Sequence, residues 1–175
     1  MASAHRRTGI PHFDNKWRIE QTVRALSFPS YAILRPVFFM ENLQGPLVKP
    51  GLDAGKLAIA LRADTPVQMI AVEDIGAYGR IVFDQAAAFN GRELDIAGDE
   101  VTMPEAARIL GGAMGRKVAF VPVPIEEVRK GSADSAIMFD WFDRIGYDVH
   151  VRSRSRECGI LPTSLEAWAA KARWS

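Results

Sequence analysis

The chain has 175 residues, 48% hydrophobic and 25% charged, which is typical of one globular domain. Its 22 basic and 21 acidic residues leave a net charge of +1, which gives no electrostatic case for binding nucleic acid or an anionic membrane. The single Cys158 excludes a disulfide framework and a cysteine-based zinc site. No apolar run approaches the ~20 residues of a membrane span, and the N-terminus lacks the features of a signal peptide. We therefore expect a soluble, cytoplasmic protein.

Predicted helices and strands alternate along the sequence. Apolar residues recur at helical spacing after Asp14 and Asn15, either of which can cap a helix. This helix runs to about Leu26, and a strand at 31–34, a Gly- and Pro-rich loop at 44–55 and strands at 57–61 and 67–72 follow it. The middle of the chain is predicted as a helix capped by Asp74, a strand at 93–97 and a helix from the capping box 102–105 to about Met114. The last part is predicted as a strand at 117–123, a helical region to about Ile145 and a helix from the capping box 163–166. This alternation predicts an α/β fold, and the absence of repeats or composition shifts predicts one domain over residues 1–175.

The usual nucleotide and metal motifs are absent from the sequence. The glycine-rich run at 111–115 follows a predicted helix and precedes a strand, the reverse of the order that points backbone N–H groups at a phosphate, so it reads as a helix end. His5, His12 and His150 are far apart and have no carboxylate at ligand spacing, so no metal site is predicted. A G-x-S-x-G nucleophile motif is also missing.

His12 and Lys16 have the four-residue spacing of one helix face. If the first helix extends back one turn, an ammonium group and an imidazole would lie together. The ammonium can hold a ribose hydroxyl, and the imidazole can donate a proton near neutral pH. The alternative is a surface lysine beside a loop histidine, and spacing alone favours that alternative.

An apolar segment at residues 36–42 follows the predicted strand at 31–34. Ligands of open α/β sheets bind beyond the carboxyl ends of the strands, so this segment is placed to line such a crevice. Its aromatic and methionine side chains can cover a flat ring, and Asn42 can supply a directional hydrogen bond. The alternative, core packing under the 44–55 loop, is commoner for such a run, and composition does not separate the two.

Four segments, taken together, resemble the NmrA-like family, atypical members of the short-chain dehydrogenase/reductase group. They read HFDNKW, ILRPVFFMEN, DTPVQMIAVEDIGAY and ELDIAGDEVTMPEAARIL, and the similarity runs in order over about residues 8–170. The resemblance implies an NAD(P)-binding, Rossmann-like fold. Some members of the family reduce quinones or other small electrophiles, and others bind NAD(P) as sensors and alter transcription through protein partners.

The resemblance also implies roles for particular residues. Lys16 corresponds to the active-site lysine of the wider group, and His12 stands where that group has its catalytic tyrosine, so these two are the catalytic candidates. The implied cofactor-binding residues are Lys16, Pro36, Val37, Phe38 and Phe39. Met40 and Asn42 are the implied substrate-binding residues.

The family's opening strand and its G-x-x-G-x-x-G turn have no counterpart in this sequence. The resemblance therefore implies a partial Rossmann-like sheet with the smaller C-terminal substrate domain. Because most contacts to a dinucleotide belong to the missing part, we expect NADP or NAD to bind weakly or not at all. A sheet remnant would expose strand edges, so we also expect a homo-oligomer or a protein partner that covers them.

Three functional hypotheses remain open at this point. The first is an NAD(P)H-linked oxidoreductase of a small-molecule substrate, which would be inactive if the reaction needs the dinucleotide-binding half. The second is a non-catalytic regulatory or protein-binding module, resembling a redox sensor, with no cofactor of its own. The third is a truncated product without a function of its own.

Overall fold

The computed structural model describes residues 1–174 and confirms the predicted α/β class. Within this range the strands are β1 (Ile33–Pro36), β2 (Phe38–Phe39), β3 (Lys56–Ile59), β4 (Pro66–Ile70), β5 (Glu93–Ile96), β6 (Asp99–Thr102) and β7 (Ala119–Pro122). The α-helices are α1 (Pro11–Ala25), α2 (Lys49–Asp53), α3 (Val72–Asp84), α4 (Ala86–Phe89), α5 (Met103–Ala113), α6 (Ile125–Gly131), α7 (Ala133–Arg144), α8 (Val151–Cys158) and α9 (Leu165–Lys171). Short 3₁₀ helices cover Ala4–Arg6 and Met40–Gln44.

The strands form three small sheets. β1 pairs in parallel with β5, and β3 pairs in parallel with β7. The third sheet has the order β2-β4-β6, with β2 parallel and β6 antiparallel to β4. None of the helices within residues 1–174 is both long and apolar enough to cross a bilayer.

Both predicted capping boxes mark real helix starts. Thr102 caps α5, and its side chain accepts a hydrogen bond from the Glu105 N–H at 3.5 Å. The second box lies one residue later than predicted, since Ser164 caps α9 and accepts from the Ala167 N–H at 3.1 Å. A hydroxyl acceptor at this position satisfies a backbone donor that the first turn leaves open, which is why the motif is readable from sequence.

The predicted starts of two other helices are wrong. α1 begins at Pro11 rather than after Asp14, because proline is well tolerated where a helix has no N–H to bond. α3 begins at Val72, and Asp74, predicted as its cap, is buried inside it. The Asp74 carboxylate instead accepts hydrogen bonds from Thr163, at 2.7 Å from N and 2.9 Å from Oγ1. Asp74 is therefore bound by a residue distant in sequence and does not cap the helix.

The first predicted strand is displaced, and other elements are not predicted at all. Residues 31–34 were expected, whereas β1 covers Ile33–Pro36. Pro36 ends the strand with its nitrogen turned away from β5, where a missing N–H costs no ladder bond. The antiparallel strand β6 and the helix α8 have no predicted counterpart, and α2 lies within the predicted 44–55 loop.

Two hydrophobic cores meet at the segment that follows β1. The larger core packs α1, α5, α7 and α9 around Phe13, Met40 and Trp141. The smaller core lies beside β1 and β5 and includes Val37 and Tyr78. The chain leaving β1 thus contributes two side chains to each core within four residues, because Phe38 packs with Met40 and Phe39 packs with Val37, and this fixes its path between the cores.

A network of buried charges joins α1 to the β1–β5 sheet. Arg35 on β1 binds Glu20 on α1 through two bonds, at 2.9 Å from Nε and 2.6 Å from Nη2, and their side chains are 5% and 6% exposed. Arg35 Nη2 also lies 2.5 Å from Oε2 of Glu93, and Arg24 contacts both glutamates. Partial burial opposes ionisation of Glu93, but Arg24 and Arg35 outweigh it and hold the pKa of Glu93 below its usual range.

The indole of Trp17 lies against both cations of this network. The guanidinium carbon of Arg24 is 4.6 Å from the ring centroid, and that of Arg35 is 5.7 Å away. A ring face attracts a cation, so Trp17 keeps both guanidinium groups directed at the carboxylates. The arrangement fixes α1 on the sheet by charge and geometry together.

The edge of β1 opposite β5 has no strand partner among the described residues. Alternate residues of a parallel strand direct their backbone groups to opposite neighbours, and Ile33 and Val37 donate to the β5 side. Leu34 and Pro36 therefore face the other edge, where the Ala2 N–H donates to the Pro36 oxygen at 2.9 Å. A partner that covers an exposed sheet stays a prediction.

Removing the Arg35 guanidinium should strongly destabilise the fold. In Arg35→Met, Glu20 is left buried without its bidentate partner, and we expect a loss of about 3–5 kcal/mol in the free energy of unfolding. Urea denaturation followed by circular dichroism measures it. The matched control is Arg80→Met, whose pair with Asp84 is exposed and which we expect to change stability by less than about 0.5 kcal/mol. Equal losses in the two variants would contradict a central role for Arg35.

Candidate functional site

His12 and Lys16 lie on the same helix, one turn apart, because α1 begins before both of them. Lys16 is exposed, and its ammonium has no hydrogen-bond or ion-pair partner within residues 1–174. The condition for the predicted pair to share a helix face is therefore met. Whether the two act together in binding or catalysis stays a prediction.

His12 is held by Asp134, a residue that sequence reasoning missed. Its Nδ1 lies 2.6 Å from Oδ1 of Asp134, and each side chain is 36% exposed. An ionised carboxylate only accepts hydrogen bonds, so Nδ1 carries the proton and Nε2 is left to exchange one with a ligand. The ring also packs edge-on against Phe13, with centroids 4.8 Å apart.

Asp134 lies in the first turn of α7, whose N-cap Ser132 accepts from the Ser135 N–H at 3.1 Å. A carboxylate is favourable there because the N-terminal end of a helix carries a partial positive charge. Locally, Asp134 looks like one more acid at a helix start. Its partner is 122 residues away, which no sequence pattern indicates.

The first residues of the chain run between α1 and the end of β1. The Ala2 N–H donates to the Pro36 oxygen. Burial lowers the pKa of the Met1 amino group, and the positive charges of Arg35 and Lys16 also act to lower it. The Met1 sulfur lies 3.5 Å from the Tyr147 hydroxyl. The start of the chain, the first half of α1 and the end of β1 therefore surround one region.

The 36–42 segment divides into supporting and accessible residues. Val37 and Met40 are completely buried, so any part they play is in supporting the segment. Pro36, Phe38 and Phe39 are half-buried, and Asn42 is exposed. Core packing, one of the two interpretations of the sequence, therefore holds for Val37 and Met40. The cofactor and substrate roles of these residues stay predictions.

Glu41 anchors this segment and was not singled out in the sequence. Its Oε1 accepts hydrogen bonds from the Val72 N–H at 3.0 Å and from the Trp168 indole N–H at 3.1 Å. It thereby ties the segment to the start of α3 and to α9. Asn42, the next residue, points to solvent without such contacts, which leaves it available for a ligand.

Two recesses in the described part of the chain lie away from Lys16 and the 36–42 segment. One of about 760 Å³ is lined by α5 and the start of β7, and one of about 120 Å³ lies between residues 62–66 and 142–147. Neither is lined by Lys16 or the 36–42 segment. No group of His, Cys, Asp and Glu residues within 1–174 could hold a metal ion.

The sequence matches a known protein family. The sequence profile of the NmrA-like family matches residues 1–169. The chain is 28% identical over 121 residues to Prestalk A differentiation protein A of Dictyostelium discoideum, a match that covers 69% of this chain and 39% of that protein.

Solved structures share the fold. An NADPH-dependent quinone oxidoreductase from Escherichia coli superimposes with a TM-score of 0.78 at 21% identity, over 97% of this chain and 64% of that one. Triphenylmethane reductase from Citrobacter sp., complexed with NADP(H), gives 0.77 at 17% identity, over 97% and 62%. NmrA, a negative transcriptional regulator in complex with NAD, gives 0.67 at 17% identity, over 90% and 56%. The chain thus spans less than two thirds of each of these relatives.

Loss of the Glu41 carboxylate should loosen the segment. In Glu41→Ala the Val72 and Trp168 N–H groups lose a charged acceptor, and we expect a loss of roughly 2 kcal/mol in the free energy of unfolding. The Trp168 indole N–H signal should also move in proton–nitrogen NMR spectra. The control is Asn42→Ala, next in sequence and exposed, which should leave both unchanged. If Asn42→Ala destabilises as much as Glu41→Ala, the division into anchoring and accessible residues is wrong.

Proposed function

Because the chain belongs to the NmrA-like family, we propose that it forms the nicotinamide-facing and substrate-facing part of an NAD(P)H-linked oxidoreductase of a small molecule. The observation that supports this proposal best is the exposed face of α1, on which Lys16 has no partner within residues 1–174 and His12 is oriented by Asp134. A free ammonium and an oriented imidazole are suited to holding a hydroxyl and moving a proton.

The residues fit one end of a dinucleotide. Lys16 would hold a ribose hydroxyl, and the half-buried rings of Phe38 and Phe39 offer apolar surface to a nicotinamide. A bound nicotinamide cofactor would supply the hydride. The described residues include no glycine-rich turn from a strand into a helix that could hold a pyrophosphate, so affinity for NADP or NAD is weak. The choice between the two stays open.

The proton chemistry is assigned to this chain's own residues. The imidazolium form of His12 gives its Nε2 proton to the substrate oxygen that gains charge on reduction, and the neutral ring that remains keeps its other proton on Nδ1, against Asp134. Lys16, one turn along the helix, adds a positive charge that stabilises the same developing anion. Asn42 supplies a directional contact to the substrate.

The alternative is a regulatory module that binds a protein partner and performs no reduction. It is supported by the likeness to NmrA, which is itself a regulator in complex with NAD. Reduction of a quinone by NADPH separates the two hypotheses. A cytoplasmic location stays a prediction from the single cysteine.

We also propose that a second copy of the chain covers the open edge of β1. Edge strands with free backbone groups are sites of strand pairing. α1 and the residues after it also expose large apolar side chains, with Ile19 55%, Leu26 50% and Phe28 52% exposed. Exposed apolar surface, together with a strand edge that lacks a strand partner, supports an interface between proteins.

Lys16 should control cofactor binding. Calorimetric titration with NADPH should give weak, saturable binding, and Lys16→Met should weaken it about fivefold, as expected for the loss of one exposed charge contact. Reduced nicotinamide mononucleotide should lose the same factor, because it carries the end that Lys16 contacts.

The matched control is Lys171→Met, an exposed lysine on α9. Equal effects of the two substitutions, or no heat with either ligand, would contradict the assigned cofactor site. Binding without quinone reduction would favour the regulatory alternative.

Self-association should depend on the α1 surface. Light scattering should give a mass above that of one chain, increasing with concentration. Ile19→Lys combined with Phe28→Lys should restore a monomer by placing charges in the interface. Leu161→Lys, at a position that is 92% exposed, is the control and should leave the mass unchanged. A monomer at every concentration would overturn the proposed second copy.

A further inference from the structure

A groove lies between α5 and the start of β7, apart from the site on α1. Its volume is about 760 Å³, within the usual range of small-molecule sites. Its floor is apolar, with Ala107 and Val118 buried and Phe120 half-buried. We call it the α5–β7 groove.

Backbone geometry keeps this groove open. A side chain at Gly111 would lie 2.8 Å from the Arg116 oxygen, so glycine is required there for the turn to approach the helix. At Gly112, by contrast, an added Cβ meets no atom within 4 Å. The helix surface at Gly112 is therefore bare, and the space above it does not depend on the rotamer of a side chain.

The rim of the groove is positively charged. Arg108, Arg116 and Lys117 are exposed along it, and no carboxylate is among the lining residues in the described part of the chain. Arg116 is engaged by Asp53, at 3.1 Å from its backbone oxygen and 3.3 Å from Oδ1. Arg108 and Lys117 have no hydrogen-bond or ion-pair partner within residues 1–174.

Attraction of basic side chains to the negative C-terminal end of α5 does not explain all of the positive charge on the rim. A helix C-terminus carries a charge equivalent to about −0.5, which is less than the charge of one lysine. Arg108 also lies in the middle of α5, away from that end. The chain as a whole is nearly neutral, so this positive charge is a local feature.

We propose that the α5–β7 groove binds a small amphipathic anion, with an apolar or aromatic body on the floor and one carboxylate or sulfonate between Arg108 and Lys117. The anion contacts come from side chains and not from backbone N–H groups of a helix. This separates the site from a pyrophosphate site, which needs a helix N-terminus. The site is independent of Lys16 and of the proposed reduction.

The probe is 1-anilinonaphthalene-8-sulfonate, and its neutral counterpart is N-phenyl-1-naphthylamine, which lacks the sulfonate. Fluorescence titration of the folded chain should give saturable binding of one anionic probe per chain. The neutral compound should bind more weakly, because it has no group for the two cations. Equal binding of both compounds would overturn the anion site.

Two variants locate the binding. Gly112→Leu adds an apolar side chain at a residue that lines the groove while keeping all three cations, and it should weaken binding of the anionic probe. Gly76→Leu on α3, where an added Cβ also meets no atom within 4 Å, is the matched control and should bind normally. Unchanged binding in Gly112→Leu would overturn the proposal.

The double variant Arg108→Gln, Lys117→Gln removes two positive charges of the rim at exposed positions. It should weaken the anionic probe about fivefold or more and leave the neutral compound unchanged. Circular dichroism and urea denaturation check that each variant is folded, and the double variant decides the question if Gly112→Leu does not fold. Equal weakening of both compounds in the double variant would contradict a charge contact.

Discussion

The buried ion pair between Arg35 and Glu20 connects the parts of the molecule on which the site depends. Glu20 is one turn after Lys16 on α1, and Arg35 directly precedes the 36–42 segment at the end of β1. A bidentate guanidinium–carboxylate contact allows little rotation or sliding. It therefore fixes where the exposed lysine stands relative to the segment. Two charges are desolvated to achieve this, and their pairing specifies one arrangement more than it adds stability.

The apolar segment after β1 serves both cores and the surface. Val37 and Met40 enter the two cores, while Phe38, Phe39 and Asn42 keep partial or full access to solvent. The buried side chains hold the segment on the cores, and Phe38 and Phe39 pack against the same cores while keeping part of their surface in solvent. In such a site, the side chains that face the ligand are held in position by residues that do not touch it.

Contacts between residues close in sequence could be predicted, whereas contacts between residues far apart in sequence could not. The hydroxyl of Thr102 marks a helix start because its acceptor group and the donor it satisfies are three residues apart. The partner of His12 is Asp134, in a different helix, so nothing near either residue indicates the pair. Asp74 shows the converse, because a residue with every sign of a cap is held by Thr163 instead.

A titration of the isotopically labelled chain with NADPH, followed by backbone amide NMR, tests the account most directly. If the exposed face of α1 and the segment after β1 form the nicotinamide end of a site, the shifted amides should cluster around Lys16 and at Phe38, Phe39 and Asn42. Shifts confined to the α5–β7 groove, where a phosphate could simply meet exposed cations, would contradict it. So would an unchanged spectrum at millimolar cofactor.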